Sequence, residues 1–367
     1  MKKILFFILC IILIQSCKPD SKKEVYTGNV KEIPFVVNSE SPNDFIKSCD
    51  FLMLEDTCRE SLFANISKLK IKGDRIYVLD FSGSKALHVF NDKGKFLHNI
   101  GKRGSGPGEY KKIYDFDVND SKVYICDGPN RNIIIYNKDG KYLGKKEIPF
   151  QINAFSLLEN GSFIMSLPKI LNKPKVVVTD SLFKESKEYF VYSEKDMGDK
   201  FDIGIFQESS EGIVYNKSIN DTIFIFSKAG DIKEAYHIDF KNKRVPDELR
   251  KSYQEFINER ELHDYRYFYS TPVFIKNHII GNIFSGNTKA LVNIDTKQNQ
   301  CYMKLLKEYN INMTDPYLPL TVINDSIIIS YLNDGIYNAI NKNYSLDKET
   351  IKHLEEGGTI LCFYHLK

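Results

Sequence analysis

The sequence predicts an all-β fold, a six-bladed β-propeller with a short helical insertion between blades four and five; seven blades is the alternative. Three observations predict it. Residues 74–97 (DRIYVLDFSGSKALHVFNDKGKFL) and 121–143 (SKVYICDGPNRNIIIYNKDGKYL) superimpose almost without gaps, so that Asp80 falls on Asp127, 47 positions on, and Gly94 on Gly140, 46 positions on. A period of that length, with three strand-like runs per copy, fits blades of about four strands. The chain carries 22 Tyr and 25 Phe, many Ile and Val, and turn residues at regular intervals, which is strand composition. From Ser48 to Lys367 about 320 residues remain; a repeat of about 46 gives seven blades, but a helical stretch removes about 30 and the rest divides into six of about 48.

The N-terminus reads as a targeting segment. Met1-Lys2-Lys3 is a positive start, and Ile4 to Ile14 is an apolar run too short to span a bilayer, which takes about 20 residues. Ile14-Gln15-Ser16-Cys17 resembles the lipobox of bacterial lipoproteins, in which the Cys is lipidated and becomes the new N-terminus. That reading makes residues 1–16 a signal peptide, residues 17–47 a lipidated Cys17 with a polar tether, and residues 48–367 the propeller with an insertion at about 241–264.

With 51 Lys and Arg against 48 Asp and Glu the chain is near neutral, and removing residues 1–16 takes two lysines from the excess. No basic surplus marks a nucleic-acid binder. Beyond Cys10 and Cys17 there are five cysteines, an odd number that excludes a complete disulfide framework; Cys126 and Cys362 sit inside apolar runs, and Cys49 and Cys58 either pair in an oxidising compartment or stay free.

Taken in order, blade one covers about 66–100 and blade two about 113–148. Blade three holds Ser162–Met165 and Lys175–Val178, blade four Gly212–Tyr215 and Thr222–Phe226, blade five His278–Gly281 and Ala290–Ile294, and blade six Ser326–Ser330. Between blades four and five, Arg244-Val245-Pro246-Asp247-Glu248 reads as a helix start, with Leu249, Tyr253, Phe256 and Ile257 at helical spacing. Phe51–Leu54 has no blade of its own, so the simplest closure pairs it with the last strand, Thr359–Tyr364.

In each early copy a strand ends in Asp80 or Asp127. Either carboxylate caps its own loop or faces the central channel as a ligand, and capping is the commoner arrangement. Asn91–Gly94 and Asn137–Gly140 are hairpin turns in which Gly takes positive φ. Gly101–Tyr110 (GKRGSGPGEY) is glycine-rich, yet it lacks the Gly-Lys-Ser/Thr that opens a helix in a phosphate loop. It reads as a connection between blades anchored by Glu109; Arg103 and Glu109 are carried forward as candidate binding residues.

Residues 123–143, preceded by this glycine loop, resemble the NHL repeat. The whole arrangement resembles the six-bladed β-propeller lipoproteins of Gram-negative bacteria, with a lipobox, a Gly-Pro-Gly-Glu loop (Gly106–Glu109) and an Asn-Asp-Thr-Ile segment (Asn220–Ile223) before a helical insertion. That resemblance implies fold and export to the cell envelope, facing the periplasm or the surface, far more than an activity.

Two functions from different classes fit. One is a binding or scaffold module held at a membrane by its lipid, with a protein or glycan as partner. Tyr265, Tyr267 and Tyr269 alternate onto one face, where they either stack on such a ligand or pack the insertion against the ring. The other is a propeller enzyme of lactonase or lyase type with a divalent cation in its channel. The seven His residues (88, 98, 237, 263, 278, 353 and 365) are scattered, and no HExxH or GxSxG is present, so the sequence names no catalytic residue and no cofactor and leaves a channel cation open.

Overall fold

The computed structural model describes residues 21–24, 28–38, 46–196, 204–217, 219–260, 262–305, 316, 318–339 and 345–367. Its β-sheets form six blades round a central axis. Four strands precede the first blade: β1 (Ser21–Glu24), β2 (Lys31–Pro34), β3 (Val37–Asn38) and β4 (Ile46–Leu54). Blade one is β5 (Lys68–Lys72), β6 (Arg75–Asp80), β7 (Ala86–Asn91) and β8 (Phe96–Asn99). The glycine loop contributes the small pair β9 (Lys102–Arg103) and β10 (Glu109–Tyr110). Blade two is β11 (Ile113–Val118), β12 (Lys122–Asp127), β13 (Asn132–Asn137) and β14 (Tyr142–Glu147). Blade three is β15 (Ala154–Leu157), β16 (Phe163–Ser166), β17 (Pro174–Thr179) and β18 (Ser186–Val191).

Blade four is β19 (Phe206–Ser209), β20 (Gly212–Tyr215), β21 (Thr222–Phe226) and β22 (Ile232–Asp239). Helix α1 (Tyr253–Arg260) follows. Blade five has a divided inner strand, β23 (Arg266–Phe268) and β24 (Val273–Ile275), then β25 (His278–Ser285), β26 (Thr288–Asp295) and β27 (Gln300–Leu305). Blade six is β28 (Thr321–Ile323), β29 (Ile327–Asn333), helices α2 (Asp334–Ala339) and α3 (Lys348–Glu355), and β30 (Thr359–Leu366). Its outermost strand is β4, antiparallel to β30 from Thr359↔Leu54 to Leu366↔Ile46. An early strand and the last strand therefore close the ring in one blade, and the pairing covers the outer edge of β30.

The stretch assigned to the tether departs from expectation. Lys31–Pro34 runs parallel to β22, Val37–Asn38 parallel to β27 and Ser21–Glu24 parallel to β18, so the chain lies as a strap along the rims of blades three, four and five. Backbone groups make this pairing, so a polar composition does not prevent it. Ile33 and Phe35 also bury their side chains among Tyr236, Ile238 and Phe240. The insertion is likewise shorter in helix than its sequence suggests. Pro246 to Arg250 form turns, with Leu249 N donating to the Pro246 carbonyl, and helix begins only at Tyr253. The helices of blade six were not foreseen.

Between neighbouring blades the inward faces interlock. Leu69, Ile76 and Val78 pack toward blade six, while Tyr77, Leu79 and Phe116 fill the junction of blades one and two.

Candidate functional site

Strands β5, β11, β15, β19, β24 and β28 are the innermost of their blades and surround the channel. Side chains alternate along a strand. In Lys-Leu-Lys-Ile-Lys of β5, Leu69 enters a blade junction, which leaves Lys68 and Lys70 on the opposite face; in β11, Phe116 does the same between Asp115 and Asp117. These charges meet across the blades. Lys68 Nζ lies 2.6 Å from Asp115 Oδ1, and Lys70 Nζ lies 3.0 Å from Asp117 Oδ1 and 2.9 Å from Glu208 Oε2 on β19.

Both aspartates also reach blade three. Asp115 accepts from Phe155 N at 2.9 Å, and Asp117 from Leu157 N and Ser156 Oγ at 2.8 Å. The inner edge of an innermost strand has no strand neighbour, so its amides need such partners. One cluster thus joins blades one to four.

Electrostatics separate the two aspartates. Burial lifts Asp115 above the ordinary carboxylate value, more than Lys68 lowers it. Burial acts on Asp117 in the same direction, but Lys70 and then Lys68 outweigh it and hold Asp117 below its ordinary value. Burial alone would depress Lys70, whereas Asp117 and Glu208 keep it charged and above its ordinary value. A buried ammonium held by two carboxylates is a fixed charge, not a proton donor near neutral pH.

Asp117 also lines a cleft of about 350 Å³ among the hairpins that follow the innermost strands, with Lys72, Tyr124, Ser156, Glu159, Glu208 and Lys228 among its other walls. Lys72 faces Asp120 at 3.4 Å and Lys228 faces Glu159 at 3.1 Å. Glu208 is the member of the channel cluster that reaches solvent, with its side chain 52% exposed. Among the described residues no three of His, Cys, Asp and Glu converge as a metal-binding group.

The residues singled out by sequence lie elsewhere. Cys17 falls outside the described residues. Asp80 caps its loop, accepting from the amides of Ala64, Ser82, Gly83 and Ser84 at 2.8–3.2 Å, and Asp127 accepts from Lys111 N, Lys112 N and Asn130 Nδ2. Neither carboxylate serves the channel. Glu109 Oε2 accepts from the amides of Ser105 and Gly106 at 2.9 and 2.8 Å, with Lys102 3.2 Å from Oε1. Those bonds, that of Gly106 foremost, hold its carboxyl below the ordinary value. A Cβ on Gly104 would stand 1.9 Å from the same carboxylate, so the glycine loop is shaped round Glu109. Arg103, on the same small strand pair, is exposed.

Tyr265, Tyr267 and Tyr269 gather in one cluster with Phe256 of α1 and Phe284. Tyr267 is buried, stacked on Phe284 and edge-on to Phe256, so these three do not form an exposed stacking face. Asp221, from the Asn-Asp-Thr-Ile segment, is buried and accepts from Arg244 Nε at 2.9 Å and Arg250 Nη2 at 2.5 Å, which pins the insertion to blade four. Cys49, Cys58, Cys126, Cys301 and Cys362 are all free thiols.

The channel cluster escaped sequence reasoning, yet it left a signal. Lys68 stands 47 positions before Asp115, and Lys70 the same distance before Asp117, which is the spacing of Asp80 and Asp127. Equivalent positions of adjacent repeats carry opposite charges.

Comparison with known proteins places this architecture. The family described as a domain of unknown function (DUF4934) matches residues 32–360. A candidate exported protein of Bacteroides fragilis has a similar structure, with a TM-score of 0.69 at 20% identity over 92% of this chain and 100% of that one. A member of the DUF4221 family from Bacteroides vulgatus is similar at a TM-score of 0.52 and 10% identity, over 89% of this chain and 99% of that one. At such identities the likeness establishes the fold. No curated protein sequence matched.

Proposed function

Because the chain belongs to the DUF4934 family, whose description assigns no activity, we propose a function from its geometry: an exported binding or scaffold module, lipid-anchored through Cys17 at the cell envelope, that takes a protein or glycan at the mouth of its channel. The supporting observation is the state of the channel charges. Lys68, Lys70, Asp115 and Asp117 are spent on one another and on the backbone of blade three, so they brace the ring, while the half-exposed Glu208 faces the cleft. Rigid loops on a braced ring suit recognition by shape and hydrogen bonding. Membership among lipoproteins with NHL-like repeats, which the sequence resembles, and a location on the outer membrane facing the periplasm or the surface, belong to the same proposal. Among the described residues no helix is long and apolar enough to cross a membrane.

Two measurements test it. Cys17→Ser should move the protein from the membrane to the soluble envelope fraction; retention equal to wild type refutes the anchor. A thermal-shift screen of cell-wall oligosaccharides and envelope peptides should find a ligand that raises the melting temperature; at about 100 times its Kd such a ligand adds about 2.7 kcal/mol. Glu208→Gln should abolish that shift while Arg103→Ala leaves it, and a ligand indifferent to Glu208 would remove the cleft from the proposal.

A further inference from the structure

The strap fixes which side of the ring an anchor reaches. Cys17 stands four positions before Ser21, and extended chain covers at most about 3.5 Å per residue, so the anchor lies within about 14 Å of the start of β1. Strand β1 runs parallel to β18 with Ser21 beside Ser186 and Glu24 beside Tyr189. The first residue of β1 therefore lies beside the beginning of β18, next to the turn 180–185 that joins β18 to β17.

That turn presents Leu182, 63% exposed, together with the exposed Lys184. Blade two adjoins it, because Lys146 Nζ donates to the Ser181 carbonyl at 2.5 Å. The outer strand of blade two, β14, turns Leu143, 49% exposed, to solvent, and exposed Lys141 precedes it.

We propose that this edge of blades two and three is the surface laid on the bilayer, with Leu143 and Leu182 entering the headgroup layer and Lys141 and Lys184 meeting lipid phosphates. The proposal rests on lipidation of Cys17. Leucine beside lysine suits an interface, where the apolar part enters and the ammonium stays wet. Glu147 and Glu185 share the edge, and Lys145 sits 3.7 Å from Glu147, so charge contributes orientation and the acyl chains contribute retention. The ring then rests on one rim instead of swinging at the end of a 30-residue tether, and blades five and six point away from the membrane.

The test uses full-length lipidated protein in vesicles of phosphatidylethanolamine and phosphatidylglycerol. A photocrosslinking phenylalanine analogue replaces Leu182, Leu143 or, as the control, Ile170, which is 57% exposed in the loop before β17, at the other end of blade three. Phospholipid adducts at 182 and 143 should exceed those at 170 by about fivefold or more, because only the first two sit at interfacial depth. Adducts at 170 that equal or exceed them, or none at 182 and 143, overturn the orientation. The mass of the N-terminal peptide separates the two failures: an unmodified Cys17 removes the anchor and this proposal with it, whereas a lipidated chain without adducts at 182 removes the orientation alone.

Discussion

Blades one and two are two copies of one repeat, and they part company at the axis. In their loops they agree: Asp80 and Asp127 sit at equivalent positions, and each accepts from the segment that leads into its own blade, Asp80 from Ala64 N and Asp127 from Lys111 N, 47 positions on. On their innermost strands they oppose: Lys68 and Lys70 in blade one face Asp115 and Asp117 in blade two. Two identical copies would bring like charges together in a desolvated channel, an arrangement that costs stability. A ring of repeats therefore needs neighbours that have diverged at the contact, while each copy conserves the chemistry that builds its own hairpins.

The comparison breaks most severely at the buried rungs. Asp117→Ala should cost about 3–5 kcal/mol, because Lys70 would be left buried beside Glu208 alone. Asp115→Ala should behave similarly; urea melts should show a lower midpoint at unchanged slope. Values under 1 kcal/mol would mean that water enters the channel and solvates the lysines.

The loop aspartates come next and should separate the copies. Asp80 takes four amides and Asp127 two amides and a side chain, so Asp80→Asn should cost about 2–3 kcal/mol and Asp127→Asn about 1–2. Burial opposes the Asp80 shift, but the amides of Ala64, Ser84, Gly83 and Ser82 outweigh it and hold its carboxyl below the ordinary 3.8. A depressed folded value contributes stability that is complete above the unfolded one and lost as pH falls through the folded one. Wild type should therefore lose stability below about pH 4 more steeply than Asp80→Asn does. Parallel pH profiles would contradict the capping role.

A smaller effect is expected when a whole rung is replaced. Lys68→Met with Asp115→Leu removes both charges at once and should return to within about 1 kcal/mol of wild type. A double variant as unstable as Asp115→Ala alone would assign the loss to the amide of Phe155, not to the ion pair. Smallest of all is the outer rung. Lys72 and Asp120 are 40% and 93% exposed in their side chains, so Lys72→Ala should change stability by less than about 0.5 kcal/mol.

The blades were legible because hairpin chemistry is local. Gly94 and Gly140 have φ of +75° and +79°, and Asn91 and Asn137 bind amides inside the same turns. The channel was written in the same strands but read otherwise, since charges at alternate positions look like a solvated face until the ring folds that face onto its axis. The strap was missed because strand addition along a rim draws on backbone groups; Ile33 and Phe35, just past the polar run, were the side chains that marked it. Helix α3 was signalled by Asp347, whose carboxylate caps Thr350 N at 2.8 Å, with Ile351 and Leu354 three apart, but a single apolar pair in a Lys- and Glu-rich stretch is weak against the strands around it.

Closure in blade six also sets a timetable for synthesis. Strand β4 is finished at Leu54, and its partner β30 begins at Thr359. At about 5–20 residues per second the ribosome takes about 15–60 s to travel between them. Throughout that interval Ile46–Leu54 offers a row of unpaired amides and the apolar side chains Phe51, Leu52, Met53 and Leu54 to any passing strand. Arrival of the final strand covers that edge in a single pairing step, from Thr359↔Leu54 to Leu366↔Ile46.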